Sequence, residues 1–149
     1  MAAEATNYTP VKIHLKTTVE HDGERETFEL SLFGKYYEKK DAIFLKYDEV
    51  QEEGTVHTIV KLSPEGALIL RSGAVKMRMV FQYKEQLSGS YESPYGTLLL
   101  TTDTRNLSCR TYKGQQLEGN LQLTYQLLMQ GSSAGIYSMA IQFKEEREA

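Results

Sequence analysis

The sequence contains little that could cross-link the chain or hold a metal ion. It has one cysteine, Cys109, no tryptophan, three prolines and three histidines among 149 residues. A single thiol cannot form an internal disulfide, and one cysteine with three histidines is a poor set of metal ligands. We therefore expect neither a structural metal nor a bound cofactor.

Long apolar runs, a targeting segment and a basic excess are also missing. No run approaches the roughly 18 apolar residues of a membrane helix, and residues 1–8 have neither a basic start nor an apolar stretch. Lys and Arg number 17 against 20 Asp and Glu, a net charge of −3, whereas nucleic-acid-binding proteins usually carry a strong basic excess. We expect a cytoplasmic protein that binds neither membranes nor nucleic acid.

Length and composition fit one globular domain. The 149 residues are 40% hydrophobic and 25% charged, and no repeat or linker divides them. A domain of this size hides roughly 68–70% of the surface of its unfolded chain, so it can fold without metal or disulfide. We predict a single domain over residues 1–149, with flexible ends at 1–9 and 144–149.

Apolar and polar side chains alternate along most of the chain. Val11, Ile13 and Leu15 alternate with polar residues, which places all three on one face of a strand but would scatter them around a helix. Asp22-Gly23 then supplies the positive φ angles of a type I′ turn. This pattern predicts an opening β-hairpin.

About eleven such strand-like runs follow one another at intervals of about 8–14 residues, which is typical of an all-β sandwich or barrel. Short connections favour a single antiparallel up-and-down barrel of about 8–11 strands, because sandwiches usually need long crossings. Only residues 34–41 lack clear alternation, and they could form one helical turn or a loop.

Several segments, taken in order, carry a family resemblance. They are the hairpin around Asp22-Gly23, residues 44–49, residues 71–73 ahead of 77–81, residues 91–96, and the closing pair 119–125 and 135–143. Together they resemble the YwiB-like family of small uncharacterised bacterial β-barrel proteins. The resemblance implies a lipocalin-like, calycin-type barrel and leaves the biochemical role open.

Few side chains are candidates for catalysis or metal binding. The three histidines lie on polar strand faces or at a turn, and the acidic residues Asp48, Glu49, Glu52 and Glu53 fit a solvated hairpin tip better than a calcium loop. Cys109 is predicted to be a small buried side chain rather than a reactive thiolate. We expect a protein that is not an enzyme.

Arg110 and Tyr112 are candidates for binding an anionic ligand. They are two residues apart and therefore share one strand face. Fatty-acid-binding barrels of the calycin group hold a ligand carboxylate with an inward Arg-x-Tyr pair, in which a guanidinium and a phenol donate hydrogen bonds. The alternative is that Leu107 and Cys109 point inward, which turns Arg110 and Tyr112 outward.

Arg71 is the third candidate, because it shares a face with Ala67 and Ile69. A charge on an apolar face needs solvent, a partner or a ligand. Arg71 therefore either anchors a ligand inside the barrel or lies at a strand end and extends its charged group past the rim into solvent.

Two functions of different kinds are compatible with these features. The first is a non-catalytic barrel that binds a small amphipathic or anionic ligand through Arg71, Arg110 or Tyr112. The alternative is a protein-interaction module that acts as a homodimer. It would use residues 98–100 or 127–129, where consecutive apolar side chains cannot all point inward.

Overall fold

The computed structural model describes residues 8–146, which contain ten β-strands and no helix. The strands are β1 (Thr9–His21), β2 (Glu24–Lys39), β3 (Ala42–Gln51), β4 (Gly54–Ser63), β5 (Gly66–Gly73), β6 (Lys76–Phe81), β7 (Gln86–Ser93), β8 (Gly96–Lys113), β9 (Leu117–Met129) and β10 (Ser132–Glu145). Residues 8–146 contain no helix that could cross a membrane.

The ten strands form one closed antiparallel barrel in which each strand pairs with its neighbours in sequence. β1 pairs with both β2 and β10, so the last strand closes the barrel against the first. The turn between β1 and β2 has positive φ at both Asp22 (53°) and Gly23 (79°), as a type I′ turn requires. The prediction of an all-β up-and-down barrel is confirmed.

The structure has ten strands where the sequence shows about eleven strand-like runs, and β8 accounts for the difference. β8 runs without interruption from Gly96 to Lys113 and pairs with β9, with one register shift between Thr104 and Asn106. The extra residue, Arg105, forms a β-bulge, which bends a strand without ending it. Two of the predicted runs are therefore one long strand.

The prediction of a helical turn or loop at residues 34–41 is also wrong, because β2 continues to Lys39. Gly34, Tyr36 and Glu38 pair with inward-facing residues of β3, so the period of two is present there. A glycine and a glutamate at inward positions hide that period in the sequence. A Cβ at Gly34 would lie 2.6 Å from the carbonyl oxygen of Lys46, so β3 approaches too closely for any larger residue.

The first and last strands extend into the predicted flexible ends. Thr9 begins β1, and Glu145 is the last residue of β10. The backbone N–H of Glu146 donates a hydrogen bond of 2.8 Å to the carbonyl of Pro10. The rest of the predicted ends, residues 1–7 and 147–149, lies outside the described residues.

Large apolar side chains fill the middle of the barrel. The largest fully buried ones are Tyr125, Phe81, Phe143, Ile13, Leu45, Leu100, Leu121, Leu123 and Ile141. Aromatic pairs join non-adjacent strands, with ring centroids 4.7 Å apart for Phe81 on β6 and Tyr125 on β9, and 5.4 Å apart for Tyr36 on β2 and Phe143 on β10. The middle of the barrel is therefore a packed core, and any binding site on the inner face must lie toward an end.

β2 and β8 each change partners along their length. β2 pairs with β1 up to Tyr36 but with β3 only from Gly34 onward. β8 pairs with β7 up to Asp103, whereas its pairing with β9 extends to Lys113. Within the described residues, 24–33 of β2 and 105–113 of β8 consequently have a strand on one side only.

Candidate functional site

Arg71 lies on the inner face of β5. Its register partners are Thr58 on β4 and Met77 on β6, and the buried Ile69 lies on the same face two residues earlier. Side chains directly opposite each other in an antiparallel pair share a face. The Arg71 side chain therefore enters the barrel, at the end that carries the turns after β1, β3 and β5. We call this end the Arg71 end.

Glu49 on β3 holds the Arg71 guanidinium. Arg71 Nη2 donates a hydrogen bond to Glu49 Oε1 at 3.2 Å. The two side chains are 23% and 19% exposed, which makes this the least exposed ion pair among the described residues. Each charge of such a pair offsets part of the hydration that the other loses on leaving water.

The prediction that Glu49 belongs to a solvated hairpin tip is wrong. Its cross-strand partner is the fully buried Val56, and it shares the inner face with Tyr47 and Leu45. The acidic neighbours on either side concealed this position. The alternation Leu45, Tyr47, Glu49 was the sequence signal that could have identified it.

Tyr47 and Thr58 lie in the same cross-strand row as Arg71 and are more buried than the ion pair. Tyr47 and Arg71 are the two register partners of Thr58, so all three share the inner face. Burial, followed by the charge of Glu49, raises the pKa of Tyr47 to about 12. Thr58 is 2% exposed, and its hydroxyl has no hydrogen-bond partner of ordinary geometry among the described residues.

Apolar side chains continue the wall beside the ion pair. Met77 pairs with Arg71, Tyr91 pairs with Met77, and Leu98 pairs with Tyr91. On β2, Phe28 and Leu30 pair with the inner-face residues of β1 but remain 57% and 37% exposed. The inner face is thus incompletely covered at the Arg71 end, and it combines one ion pair with apolar surface.

Arg110 and Tyr112 lie on the outer face of β8 and do not join Arg71. Their register partners are Asn120 and Glu118, whereas the intervening Thr111 pairs with the buried Gly119. Because successive side chains of a strand point to opposite faces, an inward Thr111 means that Arg110 and Tyr112 point outward. An interior anchor made of Arg110 and Tyr112 is therefore excluded by the register of β8.

A groove of about 690 Å³ lies on the outer side of the barrel. Its polar lining includes Lys12, His14, Tyr112, Asn120, Gln142 and Lys144. Among residues 8–146, no group of three or more His, Cys, Asp or Glu side chains is arranged to hold a metal ion.

The comparisons with known proteins agree with this architecture. The model of the family described as "Domain of unknown function (DUF1934)" matches residues 13–141. The chain belongs to the DUF1934 family. The chain is 31% identical over 136 residues to the "Uncharacterized beta-barrel protein YwiB" of Bacillus subtilis (strain 168), a match covering 91% of this chain and 94% of that protein.

A solved structure also resembles this DUF1934 barrel. The crystal structure of the ywiB protein from Bacillus subtilis superposes with a TM-score of 0.82 at 28% identity, covering 97% of this chain and 99% of that one. The resemblance to YwiB-like proteins is therefore confirmed over nearly the whole chain.

Cys109 of the DUF1934 domain faces inward but is not buried. It pairs with the fully buried Leu121, yet Cys109 itself is exposed. Residues 105–113 have no second neighbouring strand among the described residues, so this part of the inner face is only partly covered, although Glu38 on β2 contacts Lys113 at its end. The prediction of a buried thiol is wrong, although partial burial still raises the pKa of the Cys109 thiol.

His14 lies between a serine and a glutamate on the outer face. Its Nδ1 is 2.9 Å from Ser31 Oγ, and its Nε2 is 3.0 Å from Glu29 Oε1. Ser, His and Glu in contact can perform nucleophilic hydrolysis, but only with oxyanion donors in a site that excludes water. The side chains of His14 and Glu29 are 44% and 55% exposed, so we interpret the contact as a surface network.

The apolar triplets considered for a dimer interface leave little apolar surface outside. In residues 98–100, Leu100 is fully buried and Leu99 is 49% exposed. In residues 127–129, Leu127 is buried and Leu128 is half-buried. Only one leucine of each triplet faces outward, which is too small an area for a stable interface.

Proposed function

We propose that this DUF1934 barrel is a cytoplasmic, non-catalytic protein that binds a small amphipathic molecule with an anionic head group at the Arg71 end. The observation that carries the proposal is the inward ion pair of Arg71 and Glu49 beside exposed apolar surface. A guanidinium offers five N–H donors, and Glu49 accepts one of them. The remaining donors can bind a ligand carboxylate.

The charge of Arg71 is difficult to explain by stability alone. Replacing a buried ion pair by well-packed apolar side chains is often neutral or stabilising, so such a pair is weak support for a structural role. A binding role explains why the pair lies on the inner face rather than on the outer surface. The hydroxyl of Thr58, in register with Arg71, is a further polar group beside the same position.

The apolar surface at the Arg71 end suits the tail of such a molecule. Met77, Tyr91 and Leu98 form one wall, while Phe28 and Leu30 on β2 present further apolar area. Pockets for small molecules usually combine an apolar lining with a few polar groups that orient the ligand. The packed core below this end limits the ligand to a short tail.

Isothermal titration calorimetry with dodecanoate tests the proposal. We expect the wild-type protein to bind dodecanoate, and Arg71→Ala to weaken binding by about 1.5–3 kcal/mol, or roughly 10- to 150-fold. Glu49→Gln should strengthen binding, because it removes the carboxylate that competes for the guanidinium. Lys61→Ala, whose ammonium lies 5.8 Å from the Phe44 ring centroid, is the control and should bind as the wild type does.

Stability must be measured alongside binding. Arg71→Ala leaves Glu49 without its partner, which should lower the free energy of unfolding by about 1–2 kcal/mol for a partly exposed pair. Binding should therefore be measured at a temperature well below the melting temperature of each variant. Absence of dodecanoate binding by the wild type, or equal binding by folded Arg71→Ala, would contradict the proposal.

A further inference from the structure

Two long strand edges of this barrel lack a partner strand among the described residues. Residues 24–33 of β2 pair with β1 alone, because pairing with β3 begins at Gly34. Residues 105–113 of β8 pair with β9 alone. An unpaired edge exposes a row of N–H and C=O groups that can pair with a strand of another chain.

Both edges belong to the same five-stranded part of the barrel, in the order β2, β1, β10, β9, β8. One cross-strand row shows the continuity, since Ser31, His14, Gln142, Asn120 and Arg110 are successive register partners. The two edges therefore bound one sheet on its opposite sides. A strand added at either side would extend that sheet.

The two edges carry opposite charge. The charged residues of the β2 edge are Glu24, Arg25, Glu26 and Glu29, for a net charge of 1 − 3 = −2. Those of the β8 edge are Arg105, Arg110 and Lys113, for a net charge of 3 − 0 = +3. Opposite charges across a strand pair are stabilising and like charges are destabilising, so each edge suits the other better than itself.

Neither edge is protected by proline, and each presents apolar side chains that an added strand would cover. On the β2 edge these are Phe28 and Leu30, which are 57% and 37% exposed. On the β8 edge, Leu107 is half-buried and Cys109 is exposed, both on the inner face.

We propose that two copies of this chain associate by pairing the β2 edge of one copy with the β8 edge of the other. The occupant of each edge is thus a second copy, selected by the complementary charge and by the apolar side chains beside it. Because the two surfaces differ, the contact is heterologous and leaves one edge of each kind free. Association then continues head to tail into rings or short linear assemblies.

The hairpin geometry identifies a substitution that blocks the β2 edge alone. His21 and Glu24 flank a two-residue turn and exchange both hydrogen bonds, so even-numbered residues of β2 bond to β1. The N–H of Thr27 consequently points to the unpaired side. Thr27→Pro removes that donor and leaves the bonds to β1 in place, whereas Thr27→Ala is a matched control that keeps the N–H.

Sedimentation velocity over a range of protein concentrations tests the proposal. We expect the wild-type mass to rise above the monomer mass of 17.0 kDa with concentration and to fall again at high salt. Thr27→Pro and Arg110→Glu should each weaken association about tenfold or more, and Thr27→Ala should not. Circular dichroism and the melting temperature establish that each variant is folded.

Each alternative result overturns a stated part of the proposal. A constant monomer mass at every concentration excludes self-association through these edges. Association that survives in folded Thr27→Pro excludes the β2 edge. Association that is lost in Thr27→Pro but unchanged in Arg110→Glu excludes the β8 edge and indicates that two β2 edges pair with each other.

Discussion

Cys109 points to the same side of the sheet as Leu121, which is completely buried, and yet Cys109 is exposed. The direction of a strand side chain depends on backbone alternation alone, whereas its burial depends on whether another element covers that face. β9 has strands on both sides, whereas residues 105–113 of β8 have a strand on one side only within residues 8–146. The cysteine is consequently inward and accessible at once.

The reactivity of Cys109 follows from this combination. We expect a small thiol reagent to label the native protein without unfolding, but more slowly than it labels the chain in urea, because partial burial raises the pKa of the thiol. Absorbance of the released thiolate measures both rates on a dilute sample, in which self-association does not cover β8. Complete protection in the native state would contradict the exposure, and equal rates in both states would contradict the raised pKa.

Arg71 and Glu49 show how far the candidate site could be predicted from the sequence. Arg71 stands out because it follows Ala67 and Ile69 on one face, and the structure places it on that inner face. Glu49 was missed because Asp48 and Glu52 beside it suggested a solvated turn. Pairing between β3 and β5 through β4 is a long-range feature, so the contact itself could not be read from local alternation.

β8 shows why the boundaries of elements are less predictable than their type. Leu98 and Leu100 point inward at even positions, whereas Leu107 and Cys109 point inward at odd positions. The single extra residue at Arg105 changes the parity, since the side-chain period of a strand is two. The sequence therefore contains two alternating runs that are out of phase, and this pattern predicts two strands where the structure has one.

Gly34 is the first residue of β2 that pairs with both β1 and β3, and this position should tolerate no side chain. A Cβ there would lie 2.6 Å from both Lys46 O and Ile13 Cδ1. Gly34→Ala should therefore lower the free energy of unfolding by about 1–3 kcal/mol, the usual cost of overpacking a core. Gly114→Ala is the matched control, because a Cβ at Gly114 would meet nothing within 4 Å.

Urea unfolding followed by circular dichroism compares the two glycine variants. Gly114→Ala should equal or slightly exceed the wild type in stability, because alanine restricts the unfolded chain. Equal stability of Gly34→Ala and Gly114→Ala would show that β2 and β3 can separate at Gly34 without loss of stability, contrary to the close approach described above.

At the scale of the whole molecule, the sequence predicts the class of fold better than its closure. Alternation and short turns such as Asp22-Gly23 are local, and they predict an antiparallel meander directly. Closure joins β1 to β10 across almost the full length of the chain, which no local pattern specifies. The two unpaired edges could not be predicted from the sequence either, because they depend on which residues of β2 and β8 pair with each neighbouring strand.

The end of the barrel opposite Arg71 is joined by a contact between β2 and β8. Glu38 on β2 accepts a hydrogen bond of 2.6 Å from the Tyr36 hydroxyl and forms an ion pair with Lys113 on β8. The hydrogen bond from Lys113, and then that from Tyr36, lowers the pKa of Glu38 below its ordinary value. The ionised form of Glu38 therefore favours the folded barrel.

This contact predicts a pH dependence of stability that is specific to Glu38. Because folding lowers its pKa, its contribution is fully present above the ordinary pKa of a glutamate and is lost as the pH falls through the lower pKa of the folded state. Lys113 and Glu38 are 59% and 39% exposed, so solvent screening limits the contribution to about 0.5 kcal/mol. Urea unfolding between about pH 7 and pH 3 should show a shallower loss of stability for Glu38→Gln than for the wild type. Glu65→Gln, on the exposed turn between β4 and β5, is the control and should lose stability with falling pH as the wild type does. If Glu38→Gln also loses stability as the wild type does, the contact with Lys113 does not favour the ionised carboxylate.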